Sequence, residues 1–148
     1  MIGILVISHG LLAQGLYEST KLFINDLENV EVVILEETDT PQAFYSKLEN
    51  KILKISDEHG ILILSDILGG TTTNQALLLL QKKMNIKIVT GVNLVMLIEA
   101  LITRNNIFDL DILSKQVLET GQKSITILDN SSLTSNSEIS LDDLDDIL

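Results

Sequence analysis

Cysteine is absent from the 148 residues, which removes disulfides, thiolate metal sites and thiol chemistry together. Histidine is scarce: His9 and His59 are the only two, too few for most histidine-rich metal sites. Basic residues are outnumbered, ten Lys and Arg against 21 Asp and Glu, for a formal charge of −11. Nucleic acid is therefore not an expected partner, because neutralising its phosphates takes clustered Lys and Arg. Docking on an anionic membrane surface is disfavoured for the same reason. No stretch of 18 uncharged apolar residues occurs, so no direct membrane insertion is expected. No basic segment precedes the first apolar run, as one would in a secretory signal. The composition reads as a soluble, cytoplasmic protein.

What the sequence has in abundance is aliphatic residues. The hydrophobic share is 45%, and Leu and Ile together supply 47 positions. A chain of this length folds as one domain that hides roughly 70% of the surface its unfolded form exposes. Residues 1–130 read as that domain. From 131 onward Ser, Asn and Asp dominate, Lys and Arg are missing, and five acidic residues carry −5 of the charge. That segment reads as an acidic, solvated tail, although Leu141, Leu144 and Leu148 have the spacing of a short amphipathic helix.

Short apolar runs predict strands at 2–7, 30–35, 61–64 and 86–89. A weaker fifth, Ser124 to Leu128, alternates Ile125 and Ile127 with polar residues, as an edge strand does. Helical patterns fill the gaps at 11–24, 41–55, 74–84, 94–104 and 109–119. Thr40 followed by Pro41, the only proline, is a strong start signal for the second. Gly121 is expected to close the last. This alternation predicts an α/β fold: a doubly wound, mainly parallel sheet of order 2-1-3-4 flanked by helices.

In such sheets ligands bind beyond the carboxyl ends of the strands, where the winding reverses. Ser8-His9-Gly10 follows the first strand and Asp66 the third, so the order 2-1-3-4 would set His9 and Asp66 face to face. A neutral imidazole offers one nitrogen lone pair while the other nitrogen bears a proton. A carboxylate on that N–H fixes the tautomer and stabilises charge on the ring. Gly10 leaves room above the ring. The helix start near Leu11 and the Gly69-Gly70 turn could aim backbone N–H groups at an anion. Thr71 could add a hydroxyl. Together these point to phosphoryl transfer through phosphohistidine; the competing reading makes His9 and Asp66 simple caps. Thr72, Thr73 and Asn93 read as N-caps, and His59 as a helix C-terminal cap at the far end of the sheet.

Three segments carry a resemblance. Ile-Leu-Val-Ile-Ser-His-Gly at 4–10, Ser-Asp-Ile-Leu-Gly-Gly-Thr-Thr-Thr-Asn at 65–74 and Gly-Val-Asn-Leu-Val-Met-Leu at 91–97 resemble the IIA component of the mannose family of bacterial phosphoenolpyruvate-dependent sugar phosphotransferase systems. The resemblance covers residues 1–130. It implies that His9 accepts phosphate on Nε2 from phospho-HPr and passes it to a histidine of a IIB component. Asp66 would hold the other ring nitrogen, and Gly10, Gly69, Gly70 and Thr71 would line the phosphoryl site. It also implies a homodimer that exchanges its last strand, no cofactor and no metal. Sugar choice would reside in the membrane components, and IIB would sit on another chain.

There are departures. The family commonly has Ser-Pro after the glycine pair, where Thr71-Thr72 stands here. Thr71 keeps the hydroxyl, and Thr72 is expected to give up only a rigid helix start. Val95 replaces a frequent proline, which touches helix geometry more than chemistry. Three other readings are weaker. A receiver domain needs further acidic residues after its first strand and a lysine after its fifth. The phosphoryl donor subunit of dihydroxyacetone kinase systems shares the N-terminal histidine but fits the Gly-Gly and Gly-Val-Asn segments less well. A flavin or nucleotide module wants a Gly/Ser/Thr-rich loop where His9-Gly10-Leu11-Leu12 stands.

Overall fold

The computed structural model describes residues 1–82 and 84–133; the expected features at Leu141, Leu144 and Leu148 lie outside them. The elements run β1 (Gly3–His9), α1 (Leu12–Thr20), β2 (Val30–Leu35), α2 (Pro41–Ile55), β3 (Ile61–Ser65), α3 (Thr71–Leu79), β4 (Ile86–Thr90), α4 (Leu94–Thr103) and α5 (Leu110–Lys123). A single 3₁₀ turn follows at Asn130–Leu133. All strand pairings are parallel, in the order β2-β1-β3-β4. The winding thus reverses between β1 and β3, as the sequence pattern predicts.

The side chains of β1 and β3 explain why these two strands are central. Every residue of β3 and all of β1 except His9 is buried. Ile4, Val6, Leu62 and Leu64 face α1, α4 and α5, packing on Met96, Leu97, Ala100, Leu113 and Val117. Leu5, Ile7, Ile61 and Ile63 face α2 and α3, against Phe44, Leu48, Ile52, Ile55 and Ala76. Each such Leu or Ile contributes about 1.5–3 kcal/mol by leaving water, so the register that buries both faces is strongly specified. That register sets Ile7 level with Ser65 and His9 level with Leu35. His9 therefore stands beside the chain as it leaves β3.

Caps account for most helix starts. Thr40 accepts the Ala43 N–H at 3.1 Å with Pro41 at the first helical position. Asn93 accepts the Met96 N–H at 3.0 Å, and Asp109 those of Asp111 and Ile112. Val95 sits in the first turn of α4. At the end of the sheet away from His9, the guanidinium of Arg104 is buried and donates to the carbonyls of Ile2, Asn29 and Glu28. It clasps the end of α4 to the starts of β1 and β2.

Several expectations need correction. Ser124 to Leu128 forms no strand within the chain; Ile125 and Ile127 are 78% and 88% exposed. The helix α1 stops at Thr20, whose hydroxyl donates to the Leu16 carbonyl at 2.7 Å and competes with further winding. Instead of starting at Asn74, α3 starts at Thr71 with Gly70 as its cap. His59 does not cap α2, which ends at Ile55 with Ser56 as its C-cap; its ring lies 5.2 Å from that of Phe108. Nor does Gly121 close α5. It lies buried inside that helix, where a Cβ would fall 2.5 Å from Met96 Cγ and 2.7 Å from its sulfur. Glycine is there because α4 and α5 touch. Gly121→Ala should therefore destabilise the fold by about 1–3 kcal/mol through overpacking, although alanine favours a helix by about 1 kcal/mol. Urea unfolding at an unchanged m value would read this as a lower midpoint; an equal or higher midpoint would mean that Met96 yields without cost.

Candidate active site

The chain leaves β1 and β3 side by side, and the two residues at those exits meet. His9 Nδ1 lies 2.7 Å from Asp66 Oδ2, and the backbone N–H of His9 donates to the same oxygen at 2.7 Å. An ionised carboxylate has no proton to give, so the neutral ring carries its hydrogen on Nδ1 and keeps the lone pair on Nε2. The other carboxylate oxygen, Oδ1, accepts the Ile67 N–H at 2.8 Å and the Thr72 hydroxyl at 2.7 Å. The Asp66 side chain is 7% exposed and the His9 ring 42%.

Burial by itself would raise the Asp66 carboxyl. The hydrogen bonds from the His9 backbone, the Thr72 hydroxyl, the His9 ring and the Ile67 backbone outweigh it and hold the group below its ordinary value of 3.8. Asp66 is thus a fixed anion under one edge of an accessible imidazole. The buried strand Ile61–Ser65 demands such donors, because an unpaired carboxylate at its end would be costly.

The glycines shape the site. Gly70 lies against the ring: a Cβ there would stand 2.9 Å from His9 Cε1 and 3.5 Å from Nε2. Gly69 has φ +80°, which permits the tight turn ahead of α3. The N–H groups of Gly10 and Gly70 are engaged, by the carbonyls of Leu35 and Ile67. Gly70 bears on the ring through its lack of a side chain, and Gly10, at φ +56°, turns the chain from β1 toward α1. Thr71 and Gly10 line an open groove of about 580 Å³ beside His9, walled on the other side by Leu35, Glu36, Glu37 and Asp39. Lys47 pairs with both Glu36 and Asp39 at 2.7 Å, which moderates that acidic rim.

Three contributors were not legible in advance. Ser8, buried behind His9, accepts the Ala13 N–H at 2.7 Å and secures the start of α1. Thr72 does more than replace a rigid helix start, since its hydroxyl holds Asp66. Thr73 donates to the Ile67 carbonyl and meets Ser65 Oγ, each at 2.7 Å. Only the spatial return of α3 onto the β3 exit gives these hydroxyls partners. Just after His9 and Asp66 in the chain, Leu11, Leu12, Ile67 and Leu68 stand exposed.

Comparison with known proteins gives the family. A family model described as "PTS system fructose IIA component" matches residues 3–117. The mannose-specific EIIAB component of the Escherichia coli (strain K12) PTS is 27% identical over 127 residues, covering 86% of this chain and 39% of the relative. The fructose-specific EIIA component of Bacillus subtilis (strain 168) is 29% identical over 114 residues, 77% of this chain and 78% of that one. Among solved structures, the mannose/sorbose specific IIA subunit from Enterococcus faecalis superposes with a TM-score of 0.81 at 26% identity, covering 90% and 98% of the two chains. The EIIA component from Streptococcus agalactiae gives 0.78 at 28% identity, covering 89% and 99%. The chain spans about two fifths of the length of the E. coli relative. With the family match running from Gly3 through Val117, over strands, turns and the His9–Asp66 pair alike, the chain belongs to the IIA family of the sugar phosphotransferase system.

Proposed function

We propose that the chain is a cytoplasmic phosphoryl carrier in which His9 accepts phosphate from phospho-HPr and passes it to a IIB component, serving sugar uptake and phosphorylation. The observation that carries this reading is the 2.7 Å contact between His9 Nδ1 and Asp66 Oδ2, which leaves Nε2 bare on an exposed ring edge. In the acceptance step the Nε2 lone pair attacks phosphorus, and the donor's P–N bond breaks with its electron pair returning to the donor imidazole. The Nδ1 proton stays in its bond to Asp66, whose charge offsets the positive charge growing on the ring. Donation to IIB runs the same step with His9 as leaving group. An imidazolium partnered by a carboxylate suits both directions. No cofactor or metal enters either step.

Protein partners fit the surroundings better than a small molecule. The groove is open, and Leu11, Leu12, Ile67 and Leu68 present apolar surface beside the reactive ring. Incubation with phosphoenolpyruvate, enzyme I and HPr should add one phosphoryl group per chain, labile in acid and stable in alkali. His9→Ala should take no label. Asp66→Asn should stay folded and slow labelling by about 10²–10⁴-fold, the usual worth of a positioned acid–base partner. A labelled His9→Ala, or an acid-stable label, contradicts the assignment.

The free edge of β4 and the exposed segment Ser124 to Leu128 favour a homodimer that exchanges this segment as an added strand. An unpaired strand edge is a template for a second chain, and among the described residues β4 pairs only with β3. Ile125 and Ile127 would gain cover there. Light scattering at micromolar concentration should give twice the 16.3 kDa of one chain. A mass of one chain would contradict the exchange.

A further inference from the structure

We propose that Thr72 is a positioning residue of this site, its buried hydroxyl fixing the Asp66 carboxylate so that one oxygen serves His9 alone. The four donors around Asp66 are not equivalent. The two on Oδ2 both belong to His9, on β1. Of the two on Oδ1, the Ile67 N–H belongs to the next residue in the chain and moves with Asp66. Thr72, in the first turn of α3, is the donor that ties Oδ1 to a different element. The carboxylate is thereby a strut between β1 and α3, held at both oxygens, and its rotation is blocked.

The direction of the Thr72 bond is unambiguous, because an ionised carboxylate can only accept. The neighbouring hydroxyls do not compete for it. Ser65 Oγ stands 3.5 Å from Thr72 Oγ1 but 2.7 Å from Thr73 Oγ1, and the Thr73 proton goes to the Ile67 carbonyl. Ser65 therefore gives its proton to Thr73, and the Thr72 proton is free for Asp66. Thr72 is 0% exposed, so it cannot touch a partner protein or the transferred group. Its influence on the reaction must pass through the carboxylate to the ring.

This inference rests on the phosphoryl-transfer reading, and its test separates the two. Thr72→Val keeps the shape and β-branching and deletes the donor; Thr72→Ser restores the donor. The kinetics of phosphoryl acceptance from phospho-HPr and the ¹⁵N shifts of His9 in the resting protein would be measured for all three. With the donor gone, kcat should fall by about tenfold, the scale of one hydrogen bond to a charged group, while KM for phospho-HPr stays unchanged. The share of His9 with hydrogen on Nδ1 should fall too, and Thr72→Ser should recover both. Wild-type kcat and tautomer in folded Thr72→Val, a loss confined to KM, or no recovery by serine would overturn the role of Thr72. If Thr72→Val fails to fold, Thr72→Ala carries the same comparison. A wild-type protein that accepts no phosphoryl group would sink the transfer reading, and the tautomer comparison would still decide whether Thr72 holds the pair.

Discussion

One carboxylate with every acceptor position filled is the interaction on which the site depends. Asp66 receives hydrogen bonds from the backbone and ring of His9, from Ile67 and from Thr72. Hydrogen bonds to an ionised acceptor are shorter and stronger than neutral ones, and here they come from β1, the β3–α3 turn and α3 itself. Removing the charge leaves donors without an acceptor; removing a donor loosens the ring. The imidazole gains a fixed tautomer without being enclosed. On the proposed reading, in which the ring meets two different proteins in turn, that combination of rigidity below and openness above is what the transfer needs.

The sheet exists, in functional terms, to bring two chain exits together. Apolar side chains on both faces of β1 and β3 lock their register, and the register sets His9 next to the residue that follows Ser65. Arg104 ties the opposite end of the same sheet. A slip of one residue would turn the buried faces over and carry His9 away from Asp66. Packing far from the site therefore determines the distance of 2.7 Å within it.

Much of this was legible because the signals were local. Uninterrupted apolar runs marked β1 and β3, Thr40-Pro41 marked α2, and a histidine and an aspartate at the exits of neighbouring strands marked the candidate site. The illegible parts depend on what returns in space. Three consecutive threonines looked like caps, yet they enter α3, because Ser65, Asp66 and Ile67 lie within reach of the hydroxyls of Thr72 and Thr73. Gly121 looked like a helix end, since nothing in its neighbours tells that Met96 lies against it. The Ser124 to Leu128 segment has the alternation of a strand but finds no strand partner among the described residues.

The central claim is that Asp66 holds the proton on Nδ1 and makes Nε2 the nucleophile. Nitrogen-15 NMR of the His9 ring, recorded before and after phosphoryl transfer, tests it most directly. The account predicts hydrogen on Nδ1 and a bare Nε2 at rest, and then ³¹P coupling at Nε2 with the Nδ1 proton retained. Phosphorus coupled to Nδ1, or a resting ring with its hydrogen on Nε2, would contradict it.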